Sequence, residues 1–136
     1  LTLGDEIRVI EVGLDAIPIT DDVDYRSFTG HRRLDGPFLL QPAVTIHGIT
    51  RECLTLPPDL CGFLEGRSRF ARLGLMVHVT SAFVQPGVSN HQVLEISNVS
   101  GHPLEIYPGT RLCQIVLFRT EGEAIYRGRF ADQSEL

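Results

Sequence analysis

Lysine is absent from this sequence, and all twelve basic side chains are arginine. That excludes Schiff-base chemistry and the lysine of a Walker-type phosphate loop. Arginine suits anion binding, because its planar fork holds phosphate oxygens in pairs. Cysteine is scarce: Cys53, Cys61 and Cys113 are odd in number and form no C-x-x-C pair. No disulfide framework is expected, a reducing cytoplasm is, and the three read as small core residues. No apolar run approaches bilayer-spanning length and no signal peptide is visible. The five histidines (31, 47, 78, 91 and 102) show no metal-ligand spacing. Asp21, Asp22 and Asp24 lack the glycine and closing glutamate of a calcium loop, and read as a solvated acidic loop.

Repeats, low-complexity tracts and interdomain linkers are also missing. The 136 residues read as one domain, 1–136, long enough for a single core. With 43% hydrophobic and 21% charged residues the chain has the composition of a soluble globular protein. A formal net charge of −5 argues against a general nucleic-acid binder. Neither nucleic acid nor membrane is expected as a partner.

What is present is a series of short apolar runs. Ile7–Val12, Phe38–Gln41, Val44–Leu56, Leu60–Leu64, Leu75–Phe83, Gln92–Asn98, Leu104–Tyr107 and Arg111–Arg119 read as strands rich in Val, Ile and Leu. Pro57-Pro58, Pro86-Gly87 and Pro108-Gly109 separate them as turns. This pattern indicates an all-β sandwich, jelly roll or barrel. The polar stretch 20–36 reads as a long surface loop. One short helix is expected at Ser68–Leu73, capped by Ser68 and ended by Gly74.

Three features carry candidate chemistry. Arg67, Arg69 and Arg72 crowd one six-residue turn of an acidic protein. A helix beginning at Ser68 would add its N–H groups to that anion-attracting set; the plain alternative is a solvated basic turn. Glu95 lies in mid-strand on the same side as Val93, with Leu94 and Ile96 on the other. Such a carboxylate is either a solvent-face residue or a functional one. The end of the chain mixes Tyr126, Arg127, Arg129, Phe130 and Gln133, and taken alone reads as a fraying tail.

Together these motifs resemble the dCTP deaminase family of the dUTPase-like superfamily. The run from Leu56 to Leu75, LPPDLCGFLEGRSRFARLGL, is similar to that family's LP-x-D-x-x-G-x-x-x-GRSS-x-ARLGL block. His78-Val79-Thr80, Pro86-Gly87, Val93-Leu94-Glu95, Pro108-Gly109-Thr110 and Tyr126-Arg127-Gly128 follow in the family's order, and Leu1–Gly4 resembles the end of its early strand. The resemblance implies a distorted jelly-roll or β-barrel with one short helix, assembled as a homotrimer with active sites between subunits. It implies deamination of dCTP to dUTP and ammonia without zinc, in pyrimidine deoxynucleotide metabolism. This sequence also lacks the H-x-E and P-C-x-x-C pattern of zinc deaminases. By position, Glu95 matches the catalytic glutamate, and Ser68 and Arg72 match residues that place the water and base. Arg67 matches a triphosphate contact, with Arg69 beside it. Thr80 and Ser81 match the base pocket, which Val93 adjoins. Tyr126, Arg129 and Gln133 match a tail that closes over the nucleotide. Magnesium is expected on the triphosphate.

The sequence departs from the pattern at Arg69, Gln85, Val88, Asn90 and Arg129. Gln85 replaces an aspartate that serves diphosphate release; its amide still binds a 3′-hydroxyl but is no base. Deamination without dUTPase activity is therefore expected. Two alternatives stand beside it: a dUTP diphosphohydrolase, alone or combined with deaminase activity, and a non-catalytic nucleotide-binding homologue. The resemblance also implies a helix and strand ahead of Leu1 that are absent here, so a trimmed chain is expected. Asp59 and Glu65 flank the arginine block; either could pair with one of its arginines, and neither is assigned a catalytic role.

Overall fold

The computed structural model describes residues 1–136. Strands β1 (Leu3–Ile10), β2 (Thr29–Arg33), β3 (Phe38–Leu40), β4 (Thr45–Thr55) and β5 (Leu60–Gly66) precede one short helix, α1 (Ser68–Ala71). After it come β6 (Leu75–Val77), β7 (Phe83–Val84), β8 (Ser89–Asn98), β9 (Leu104–Ile106) and β10 (Cys113–Arg119). A 3₁₀ turn, Tyr25–Phe28, leads into β2. The strands form a five-stranded sheet in the order β2-β1-β4-β8-β6, a three-stranded sheet β10-β5-β7 and a two-stranded sheet β3-β9. Every strand pairing is antiparallel.

The alternation read in the sequence explains the core. Leu94 and Ile96 of β8 are fully buried and meet Leu3 and Ile7 of β1, Leu40 of β3 and Ile46 of β4 in one cluster. Each such side chain contributes about 2–3 kcal/mol relative to exposure. Because successive residues of a strand point to opposite faces, burying Leu94 and Ile96 turns Val93 and Glu95 away from this core. Asn98, also fully buried, is tied at both ends of its amide. Its Nδ2 donates to the carbonyls of Leu40 and His102, and its Oδ1 accepts from the Ser100 N–H and hydroxyl.

Four expectations need correction. The stretch 20–36 is no plain loop: it holds the 3₁₀ turn and β2, whose polar sequence is that of an edge strand. Leu75–Phe83 is two strands, because His78 takes a left-handed backbone, φ 68°, and turns the chain out of the sheet. The helix is one turn, and Arg67 rather than Ser68 occupies its N-cap, with no side-chain bond there. Gly74 does follow it at φ 83°, where an added Cβ would lie 2.6 Å from the Ser100 Cβ. One turn offers little dipole, which leaves anion attraction to the arginines themselves. Cys61 and Cys113 are buried, whereas Cys53 is exposed.

Candidate active site

Glu95 stands at the wall of a cavity of about 380 Å³, a size typical of small-molecule sites. Its carboxylate is held by one residue twice. The Thr80 N–H donates to Oε2 at 2.8 Å and the Thr80 hydroxyl donates to the same oxygen at 3.0 Å. This depends on the turn at His78. The His78 N–H donates to the Glu95 carbonyl at 2.8 Å, and its Nε2 donates to the Ser81 carbonyl at 2.6 Å. The segment 78–81 is thus bent around Glu95 and presents the Thr80 N–H to it. A non-glycine residue in this backbone region costs roughly 1–2 kcal/mol, and such strain concentrates at functional sites.

Next to Glu95, on β4, lies His47, its direct cross-strand partner. Beyond His47, on β1, lies Arg8, again a direct partner. Burial pushes the His47 imidazole below its ordinary value near 6.5; the Glu95 charge raises it and the Arg8 charge lowers it. Tyr25 from the 3₁₀ turn meets His47 edge-on at 5.9 Å and lies under the Arg8 guanidinium at 5.9 Å.

The tail forms the opposite wall. Tyr126, Phe130 and Gln133 line the cavity together with Ser81, Gln85 and Val93. Gln133 is paired both ways with His91: its carbonyl accepts the His91 N–H at 3.0 Å and its amide donates to the His91 carbonyl at 3.1 Å. The Asn90 amide donates to the Phe130 carbonyl at 2.7 Å, and the Tyr126 N–H donates to the Pro86 carbonyl at 3.0 Å. The tail is therefore a strap seated across β8, not a fraying end.

The structure brings Glu95, Thr80, Ser81, Gln85, Val93, Tyr126 and Gln133 to one place. It does not bring the arginine block there. Arg67, Ser68 and Arg69 line a separate groove with Glu65 and Gln114, which meets the Glu95 cavity only at His78. Arg67 donates to the Arg111 carbonyl at 2.8 Å, and both Arg67 and Arg69 lie over the Phe70 ring. Arg72 follows the helix as its C-cap, is exposed and lines neither cavity. Arg129 faces Asp24 at 4.0 Å, outside the Glu95 cavity. Asp59 pairs with Arg119 rather than with the block, and Glu65 makes no ion pair. The sequence reading missed His47, Tyr25 and His91. Cross-strand register reveals the first, and no local signal reveals Tyr25 in a stretch read as loop.

A family model described as dCTP deaminase-like matches residues 1–120. The chain belongs to the dCTP deaminase-like family. Among curated relatives, the dUMP-forming dCTP deaminase of Parafrankia sp. is 44% identical over 106 residues, covering 73% of this chain and 53% of that protein. The dUMP-forming dCTP deaminase of Nocardia farcinica is 47% identical over 88 residues, covering 65% and 44%. This dCTP deaminase-like chain thus spans about half the length of such relatives. Among solved structures, the 2′-deoxycytidine 5′-triphosphate deaminase of Agrobacterium tumefaciens superposes with a TM-score of 0.69 at 23% identity, over 88% of this chain and 38% of that one. The native EIAV dUTPase does so with a TM-score of 0.56 at 15% identity, over 68% and 75%. The all-β fold with its short helix is that of dCTP deaminases and dUTPases.

Proposed function

We propose that this chain deaminates dCTP hydrolytically, with Glu95 as the group that moves the protons. The observation that carries the reading is the Glu95 carboxylate, fixed by Thr80 at the wall of a nucleoside-sized cavity. Water attacks C4 of the cytosine ring while Glu95 takes its proton. Glu95 gives that proton to N3 of the ring, then takes the proton of the new C4 hydroxyl and passes it to the departing amine, leaving the 4-carbonyl and ammonia. Thr80 holds the carboxylate in place through this exchange, and the backbone at Thr80 and Ser81 borders the base. The strap residues Tyr126 and Gln133 wall the cavity and shield the reacting water from bulk solvent.

Ser68 and Arg72, with Arg67 and Arg69 as phosphate contacts, enter this mechanism from a neighbouring copy. Within one chain they line or adjoin the other groove. A homotrimer completes the site, and the exposed apolar face of the β10-β5-β7 sheet supports assembly. There Phe63 packs against Phe83 and Phe118 with ring centroids 5.2 and 5.8 Å apart, while all three stay over 40% exposed. No three His, Cys, Asp or Glu side chains converge into a metal-holding group. Magnesium is proposed to come with the triphosphate, held by phosphate oxygens and water. No helix is long and apolar enough to cross a membrane; the unpaired thiols suit a reducing compartment such as the cytoplasm.

The product is dUTP in this reading, because Gln85 lines the cavity where pyrophosphate release needs a base. The relatives' own name, dUMP-forming, favours the second reading, deamination followed by pyrophosphate release. Incubation with dCTP and with dUTP, following ammonia and pyrophosphate separately, distinguishes the two. Glu95→Gln is expected to bind dCTP and release no ammonia. Wild-type turnover in that variant overturns the assignment of Glu95.

A further inference from the structure

We propose that His47 is a positioning residue for the Glu95 carboxylate, set between it and the Arg8 guanidinium on one face of the sheet. The inference rests on Glu95 being the proton carrier and names the residue that governs it.

The geometry is a row across four strands. His31, Arg8, His47 and Glu95 are successive direct partners on β2, β1, β4 and β8. Direct partners place their Cβ atoms about 4.5–5.5 Å apart on one face. His47 therefore stands between a permanent cation and the carboxylate. Three histidines border the cavity, and they differ in one respect. His78 donates to the Ser81 carbonyl and His91 Nδ1 donates to the Thr50 carbonyl, so each ring is anchored to backbone. The His47 ring has no backbone anchor; its neighbours are the charged groups of the row and the edge of Tyr25. Arg8 is itself fixed, donating to the Thr29 carbonyl and hydroxyl and to the Leu136 carbonyl. The groups facing His47 are thus Arg8 from β1, Glu95 and His91 from β8, Tyr25 from the 3₁₀ turn, His78 from the bend and Tyr126 from the strap.

The physical consequence is an electrostatic one. An imidazolium beside Glu95 would hold it as an anion and weaken it as a base. Burial and the Arg8 charge both oppose the imidazolium, and only Glu95 favours it. At neutral pH the His47 ring, lowered chiefly by burial, is uncharged and sets no cation against the Glu95 carboxylate. A proton on Glu95 stops it acting as a base and a proton on His47 holds Glu95 as an anion, so each blocks the reaction in its own way.

Two measurements on the full chain test this. The first follows the His47 imidazole by NMR through a pH titration in the wild type, Glu95→Gln and Arg8→Gln. The midpoint is expected to fall in Glu95→Gln and to rise in Arg8→Gln. Should Arg8→Gln fail to fold, Glu95→Gln carries the comparison. An unchanged midpoint in Glu95→Gln overturns the proposal whatever the activity of the protein. The second is the pH profile of dCTP deamination. The wild type is expected to approach about a hundredfold loss per pH unit on the acid side, the signature of two protons, and His47→Gln about tenfold. Equal slopes overturn the proposal. Absence of ammonia release from the wild type at every pH overturns the deaminase reading instead, and the NMR comparison alone then decides the role of His47.

Discussion

Thr80 anchors Glu95 through two donors of different kinds. The backbone N–H survives any substitution except proline; the hydroxyl does not. Thr80→Val keeps the side-chain shape and the 2.8 Å bond but removes the donor at 3.0 Å. Hydrogen bonds to charged groups are worth about 1.5–3 kcal/mol, so kcat is expected to fall roughly tenfold with little change in KM. Steady-state ammonia release reads it. His47 makes a second prediction, on stability. Its folded-state value lies below the ordinary 6.5, so in acid the unfolded chain binds more protons there. The wild type therefore loses stability as pH falls through the ordinary histidine range, down to the depressed folded value. His47→Gln lacks that contribution, and its urea midpoint is expected to fall less between about pH 7 and pH 5. At this scale the sequence made Glu95 and Val93 legible, because their alternation with Leu94 and Ile96 is local. His47 and Arg8 were hidden: they lie 48 and 87 positions from Glu95 by subtraction of their numbers, and only the strand pairing joins them.

Among the elements, the strands were legible wherever an apolar alternation met a proline or glycine turn. The break within residues 75–83 was not, because the residue that makes it is His78 in a conformation usually left to glycine. β2 was not, because an edge strand with solvent on it looks like a loop in composition. The turn at Pro86-Gly87 shows how one element positions another. Gly87 takes φ 67°, and a Cβ there would lie 2.8 Å from the Ile125 Cα at the root of the strap. Gly87→Ala is expected to cost about 1–2 kcal/mol from its backbone angle alone, and more from the clash. Denaturant unfolding measures the loss, and a weaker hold on dCTP is expected with it, since the Tyr126 N–H bonds to the same turn.

For the molecule as a whole, family membership was legible because the block from Leu56 to Leu75 is long and specific. The placement of Ser68 and Arg72 relative to Glu95 was not, because a motif's spacing along the chain does not show which surface its side chains occupy. Phe118→Asp puts a charge on the apolar face of the β10-β5-β7 sheet, where Phe118 is 48% exposed. It is expected to leave the monomer folded, shift sedimentation towards one chain and abolish ammonia release. Retained activity in a sedimenting monomer would show that one chain suffices. The strap has a consequence of its own. It carries Arg127 and Arg129, both exposed, beside the bonds that seat it on β8. Trypsin cleaves after arginine, so the rate of clipping there reports how often the strap lifts, and a ligand that fills the space beneath it slows the cut without any label being attached.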